Sequence, residues 1–419
     1  MTMVSTSDRR VGGIDLADPA FWRQPEPVRH AAFARLRRLD APVFFPEPGG
    51  GFFALVGHAD VVTASRTPDV FVSRHGVTTP RPARWVRTVF GDSMVNLDDP
   101  RHQQLRSVVA RAFTPRVVAR IAADTERVAA RIVDDLVVAG SGPGGGPGDF
   151  VTAVAGRLPF EVICTMMGIP DGYRGTLLRR IDSTTERAGV QRAGRRLRIP
   201  GRGIAALAQL HRVVARVGAD RRRHPTDDLI SALVTADVAG RPLSGRELGS
   251  FFSLLLVAGV ETTRNTIAHA LRLLTAHPDQ RELLLADFDA RAAGFVDEVV
   301  RHSSPILQFR RTVARDHTLN GFPLRAGDEV VMYYVSANRD ETVFAAPDRF
   351  DIARTPNPHV GFGGGGPHFC LGASLARQEL TVLFRELFTR LPDLRSVGAP
   401  ELVPSNFDHR VARLGFTYT

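Results

Sequence analysis

Lysine is absent from this 419-residue chain, so all 54 basic side chains are arginines and the formal net charge is +10. Arginine-only usage reads as genomic compositional bias, and the charge alone selects no partner. A basic balance can serve nucleic acid, an acidic membrane surface or an acidic protein. Zinc-finger spacing, a helix-turn-helix signature and aromatic-interleaved basic strands are all missing, so nothing favours nucleic acid. Cysteine is scarce too: Cys164 and Cys370 are the only two, which excludes a disulfide framework and points to the reducing cytoplasm. The most apolar internal run, Phe251–Val260, is too short to span a bilayer and contains Gly259. Residues 1–22 hold no apolar core of signal-peptide length, and a soluble protein is expected.

With 43% hydrophobic residues, the chain can bury a core of several layers without covalent staples. Residues 1–75 mix short helical stretches with Pro and Gly turns, and Gly51–Val56 reads as a short strand. Residues 139–149 (AGSGPGGGPGD) form the one low-complexity stretch, a surface loop. From there to about residue 300 the pattern is mostly helical. Ser244-Gly-Arg-Glu247 is a capping box, and helix-compatible sequence follows over 244–277 up to Pro278. Its middle, SLLLVAGVETT, is apolar on nearly all faces, so this helix should cross the interior. A second helix, Ala373–Arg390, places apolar residues at 380, 383, 384, 387 and 388, the spacing of one buried face. Thr312–Leu319 and Glu329–Tyr334 read as short strands. No internal repeat is present. The fold class is mainly α with minor β-sheets.

The strongest chemical signal is Phe362-Gly-Gly-Gly-Gly-Pro-His-Phe-Cys370-Leu-Gly372, which runs into the Ala373–Arg390 helix. An iron-ligating thiolate needs backbone N–H groups close to the sulfur, a helix N-terminus that favours the anion, and space for a flat macrocycle. This segment offers all three. An inert buried cysteine remains an alternative on these residues alone. A phosphate loop is the other alternative, although no apolar strand precedes the glycines.

Ala258-Gly259-Val260-Glu261-Thr262-Thr263 interrupts the apolar helix with a small pair, an acid and two hydroxyls. The small pair would let something large approach, and an acid beside a hydroxyl can pass protons or hold a water. A packing glycine with solvated polar neighbours is the plainer reading, weakened by the cost of burying Glu261. Glu298-Val-Val-Arg301 is an i,i+3 ion pair that alone reads as ordinary surface. His102 and Arg106 share a helix face after Asp98-Asp99-Pro100 and could hold an anion, with a solvated face as the alternative. Cys164, within PFEVICTMMGIP, reads as core.

In their order along the chain these motifs resemble the cytochrome P450 family, from about residue 90 to the C-terminus. The resemblance implies one domain over 1–419 with the cytochrome P450 fold, in which residues 355–372 form the haem-binding loop. It implies that Cys370 is the metal ligand of haem b, with Phe362 and Gly372 in the loop and Ala258 and Gly259 alongside the cofactor. His102, Arg106, Arg311 and His368 are similar to residues that pair with the haem propionates, with Arg310 as an alternative to Arg311. The resemblance also implies catalytic roles for Thr262 and Glu261, in oxygen and proton handling. Glu298 and Arg301 match the ExxR motif, and Arg354 would complete that cluster.

The implied activity is a monooxygenase that inserts one oxygen atom from O₂ into an apolar substrate. Electrons would come from NAD(P)H through a separate ferredoxin reductase and ferredoxin, since no such domain is fused. One departure is a fourth glycine, which adds a residue between Phe362 and Cys370. With NPHVGFGGGG and SANRDETVF, it resembles bacterial members that hydroxylate sterol side chains and methyl-branched lipids. A peroxide-using or ring-coupling enzyme of the same fold, and a non-catalytic haem sensor, are the rival readings. Arg187, Arg192, Arg195, Arg196, Arg198 and Arg202 either form solvated surface or attract an anionic or carrier-bound substrate.

Overall fold

The structure is a computed structural model, and it describes residues 11–39, 41–79, 81, 93–112, 115–140, 148–175, 177, 201–237 and 242–419. The largest hydrophobic core lies among helices. Arg101–Ala112, Pro115–Ala139, Arg157–Met167, Gly245–Leu256, Thr262–Ala276, Phe288–Ser303 and Ala373–Arg390 all contribute to it. Cys164 sits fully buried in this core, and burial pushes its thiol pKa up to about 12.

The helix expected over 244–277 forms with an internal change of winding. Its capping box closes as the sequence predicts: the Ser244 N–H donates to Glu247 Oε2 at 2.9 Å, and the Glu247 N–H donates to Ser244 Oγ at 3.2 Å. Gly245–Leu256 is α-helical, Val257–Glu261 widens into a π-type turn, and Thr262–Ala276 resumes the α-helix before Pro278. Such bulges leave carbonyls off the regular ladder and often mark functional positions. In Ala373–Arg390 every expected core position is buried, from Leu380 and Leu383 through Phe384, Leu387 and Phe388.

A five-stranded sheet stands beside the helices. Its order is Val43–Glu47, Gly50–Leu55, Glu329–Tyr333, Gln308–Val313, Phe71–Val72. Gly50–Leu55 runs parallel to Glu329–Tyr333, and the other pairings are antiparallel. Strand alternation sends Phe52 and Ala54 to one small core and Leu55 to another on the opposite face.

Three sequence boundaries move. The strand expected at 51–56 occupies 50–55. The single strand expected over Thr312–Leu319 is two, Gln308–Val313 and His317–Leu319, because the chain leaves the sheet where the Ala314 N–H bonds the Val70 carbonyl. The strand expected to reach Tyr334 stops at Tyr333, where a short helix, Tyr334–Ala337, begins. The low-complexity loop has a structured end. Gly148–Asp149 pairs with the C-terminal strand Val411–Thr417, while 141–147 lie outside the described residues. Among the described residues, no helix is long and apolar enough to cross a membrane.

Candidate active site

The glycine loop is shaped by what it packs against. Gly363, Gly365 and Gly366 have φ of +101°, +89° and +74°, a region that side-chained residues avoid. A Cβ at Gly366 would lie 2.2 Å from the Ser65 carbonyl oxygen, and one at Gly364 would lie 2.6 Å from Ser65 Oγ. Both contacts are with helix His58–Arg66. The glycines therefore serve tight turns and a close backbone approach. No strand leads into the loop, so the phosphate-loop alternative fails.

The loop then closes on itself. The Cys370 N–H donates to the Phe362 carbonyl at 2.8 Å, and the Gly372 backbone N–H on the sulfur's side favours its anion. Helix Ala373–Arg390 starts immediately afterwards. Cys370 is exposed at its own atoms although protein surrounds it closely. That surrounding burial pushes its thiol pKa up, against the Gly372 N–H and the charges of Arg106 and Arg377, which hold it down.

The four residues expected to bind propionates come together. The rings of His102 and His368 lie tilted against each other with centroids 4.1 Å apart, and Arg311 and Arg106 act on His368 from nearby. Burial, aided by these cations, pushes the His368 pKa down to about 2. His102 is also lowered, chiefly by burial, despite Asp99 at 3.4 Å. Among the described residues, Arg106 has no carboxylate partner. Arg310 and Arg311 part company by strand alternation. Arg310 turns to Glu47 at 2.7 Å and Glu329 at 3.3 Å, over the Phe52 ring. Arg311 is buried without a carboxylate partner among the described residues, and its charge acts on His368.

On the central helix the four expected residues separate. Ala258 is exposed although its helix is buried on either side, and Thr262 is half-buried. The Thr262 hydroxyl donates to the Ala258 carbonyl at 2.5 Å, a carbonyl within the π-type turn. Gly259 faces elsewhere: a Cβ there would lie 2.8 Å from Ile163 Cδ1, so its smallness serves packing against helix Arg157–Met167. Glu261 is buried with Arg264 at 3.6 Å and Arg410 at 4.0 Å.

Glu298 and Arg301 overturn the surface reading their spacing alone suggests, since both are fully buried. Arg301 Nε and Nη2 donate to the two Glu298 oxygens at 2.7 and 2.8 Å. Its remaining donors reach the Asn338, Pro347 and Arg349 carbonyls. Arg354 joins Glu298 at 3.3 Å, and Asn357 donates to it at 3.1 Å. Every charge here is both paired and hydrogen-bonded, the condition for tolerating burial.

Sequence reasoning missed several supporting residues. Ser73 Oγ lies 3.3 Å from His368 Nε2, and Asp98 accepts the Ser73 N–H at 2.6 Å. Asp98 was legible only as part of a helix start, because its partners lie upstream in the chain. Of the arginine cluster, Arg187, Arg192, Arg195, Arg196 and Arg198 lie outside the described residues.

Residues 292–391 match the family described as Cytochrome P450. The chain is 44% identical over 428 residues to a methyl-branched lipid omega-hydroxylase of Mycobacterium tuberculosis, covering 98% of this chain and 95% of that protein. The chain belongs to the cytochrome P450 family. This P450 is also 37% identical over 420 residues to a steroid C26-monooxygenase of Mycobacterium bovis, covering 97% of this chain and 93% of that one. Among solved structures it resembles a Mycobacterium marinum P450 in complex with pseudoionone. There the TM-score is 0.89 at 41% identity, covering 98% of this chain and all of the other. As a member of this family it is a monooxygenase, and family membership implies haem. The residues fit that group: Cys370 offers a reachable sulfur steadied by a backbone N–H, and Arg106 and Arg311 offer positive charge suited to two carboxylates.

Proposed function

We propose that this P450 hydroxylates the aliphatic end of a methyl-branched lipid or a sterol side chain, with Cys370 as the iron ligand. The observation that carries the chemistry is the reachable Cys370 sulfur, on a loop closed by the Cys370 N–H to the Phe362 carbonyl and leading straight into a helix. The substrate class rests on the names of the relatives at 44% and 37% identity. Haem, when bound, supplies the cleavage of O₂ and the insertion of one oxygen atom into a C–H bond.

The chain's own residues have separate tasks. Cys370 would hold the iron through its sulfur, and the backbone N–H of Gly372 would favour the anionic sulfur. Arg106 and Arg311 supply positive charge for the propionates, while His102 and His368 act as neutral donors. Ala258 leaves a bare helix face. Thr262 holds a hydroxyl proton at Oγ1, parked on the Ala258 carbonyl, and Glu261 passes protons inward from its position between Arg264 and Arg410. Electrons come from NAD(P)H through a ferredoxin reductase and a ferredoxin. The arginines at 187–202 attract an anionic end of the substrate, or an acidic carrier bearing it.

The test is turnover of a methyl-branched lipid and of a sterol with an intact side chain, with O₂ and a ferredoxin–reductase pair, against hydrogen peroxide alone. Terminal hydroxylation that requires the redox pair is the expected outcome. Equal product from peroxide would move the chain to the peroxide-using reading. Oxidation away from the chain end would remove the substrate assignment.

A further inference from the structure

Helix Phe288–Ser303 carries another acid, Asp297, directly before Glu298. Successive helical residues point about 100° apart, so the two acids serve different clusters. Glu298 turns to the buried arginines described above. Asp297 Oδ1 instead accepts from Arg377 Nε at 2.7 Å, and His359 Nε2 lies 3.4 Å from the same oxygen. Arg377, on the helix that starts just after the cysteine, lies over the Phe362 ring at 4.5 Å from its centroid. The His359 ring is 5.6 Å from the same phenyl. Phe362 in turn accepts the Cys370 N–H through its carbonyl.

The Asp297–Arg377 pair is about one-third exposed on both sides, and such pairs contribute little to stability. Its consequence lies in what it touches. The guanidinium pins the first residue of the cysteine loop, and its positive charge is felt at the sulfur.

We propose that Arg377 is a positioning residue for the Cys370 loop whose charge sets the reduction potential of the bound iron, and that Asp297 sets how much of that charge the sulfur feels. The proposal rests on Cys370 being the iron ligand. A cation near the sulfur opposes charge donation to iron and disfavours the oxidised state. Removing it makes the ferric/ferrous potential more negative, whereas removing its counter-charge makes the potential more positive. A merely structural contact would not give opposite signs.

The experiment measures the ferric/ferrous potential of haem-loaded parent, R377Q, D297N and R377K, with the CO-bound ferrous spectrum recorded for each. R377Q should fall below the parent, D297N should rise above it, and R377K should stay nearer the parent than R377Q. Raising the ionic strength should shrink both shifts, because the pair is partly exposed. Shifts of the same sign in R377Q and D297N, or no shift in either, overturn the proposal while the CO band still reports a thiolate. Should R377Q fail to hold haem, the sign in D297N and the position of R377K decide the matter. A parent protein without the thiolate CO band overturns the ligand assignment itself.

Discussion

The imidazoles of His102 and His368 meet at 4.1 Å between centroids, tilted by 34° between planes, and burial lowers both of their pKa values. Two rings so close, with Arg311 and Arg106 nearby, are held as neutral donors, and the arginines supply the positive charge.

The first prediction follows from that division. His368→Gln, which keeps a neutral donor, should speed haem transfer to apomyoglobin less than Arg311→Gln does. The gap should be about tenfold, since charged hydrogen bonds exceed neutral ones by about 1 kcal/mol or more. Equal transfer rates in the two variants would reassign the anion partner.

Cys370→Ser and Cys370→His should both lose the strongly red-shifted Soret band of the CO-bound ferrous protein, because only a thiolate pushes enough charge onto the iron. Persistence of that band in Cys370→Ser is the result that refutes the assignment.

Thr262→Ala removes the hydroxyl that bonds the Ala258 carbonyl in the π-type turn. NADPH consumption through the redox partners should continue, with more hydrogen peroxide and less hydroxylated product per NADPH. Unchanged coupling would take Thr262 out of the chemistry.

Arg301→Leu leaves Glu298 buried without its bidentate partner and takes the guanidinium donor from the Asn338 and Pro347 carbonyls, while the Arg349 carbonyl keeps Arg354. Loss of one member of a buried pair costs about 3–5 kcal/mol. Chemical unfolding of the haem-loaded protein should register that loss, and adding Glu298→Leu to it should cost less than the sum of the two single changes.

Glu379 lies on the helix after Cys370, fully buried, and burial alone pushes its pKa up to about 8. Its folded pKa exceeds the unfolded value of 4.5, so the folded state binds the extra proton between those two pH values. Its favourable term is complete below the unfolded pKa and is lost as pH rises to about 8. Glu379→Gln should therefore gain stability over the parent as pH rises through that window, by a few kcal/mol on the order given by the linkage relation. A flat difference in unfolding free energy against pH would show that Glu379 is not held protonated.

The sequence reading succeeded where local pattern carries the information. The buried stripe of Ala373–Arg390 and the Ser244–Glu247 box depend on residues three and four apart, and both formed. It stopped where contacts cross the chain. Glu298 and Arg301 look like any surface pair until residues 338–357 fold over them. Arg310 and Arg311 are indistinguishable in sequence and are separated only by the sheet's two faces. The small pair Ala258-Gly259 gives no sign in sequence that a Cβ at Gly259 would meet Ile163, from a helix far upstream. The π-type turn leaves no mark in the apolar pattern, since hydrophobic residues occupy nearly every face there. Arg377 and Asp297 escaped notice because neither belongs to a motif and the loop between them must fold before they meet.

The contact of Gly364 and Gly366 with Ser65 ties the evolutionary freedom of two distant stretches together. Ser65 is an unremarkable half-buried helical residue in sequence, yet its oxygen atoms occupy the space that any side chain at 364 or 366 would need. Drift at one stretch is therefore licensed by what stands at the other. A substitution at position 65 that shifts helix His58–Arg66 toward the loop would act as a mutation of the cysteine loop, although it lies far from any recognisable motif.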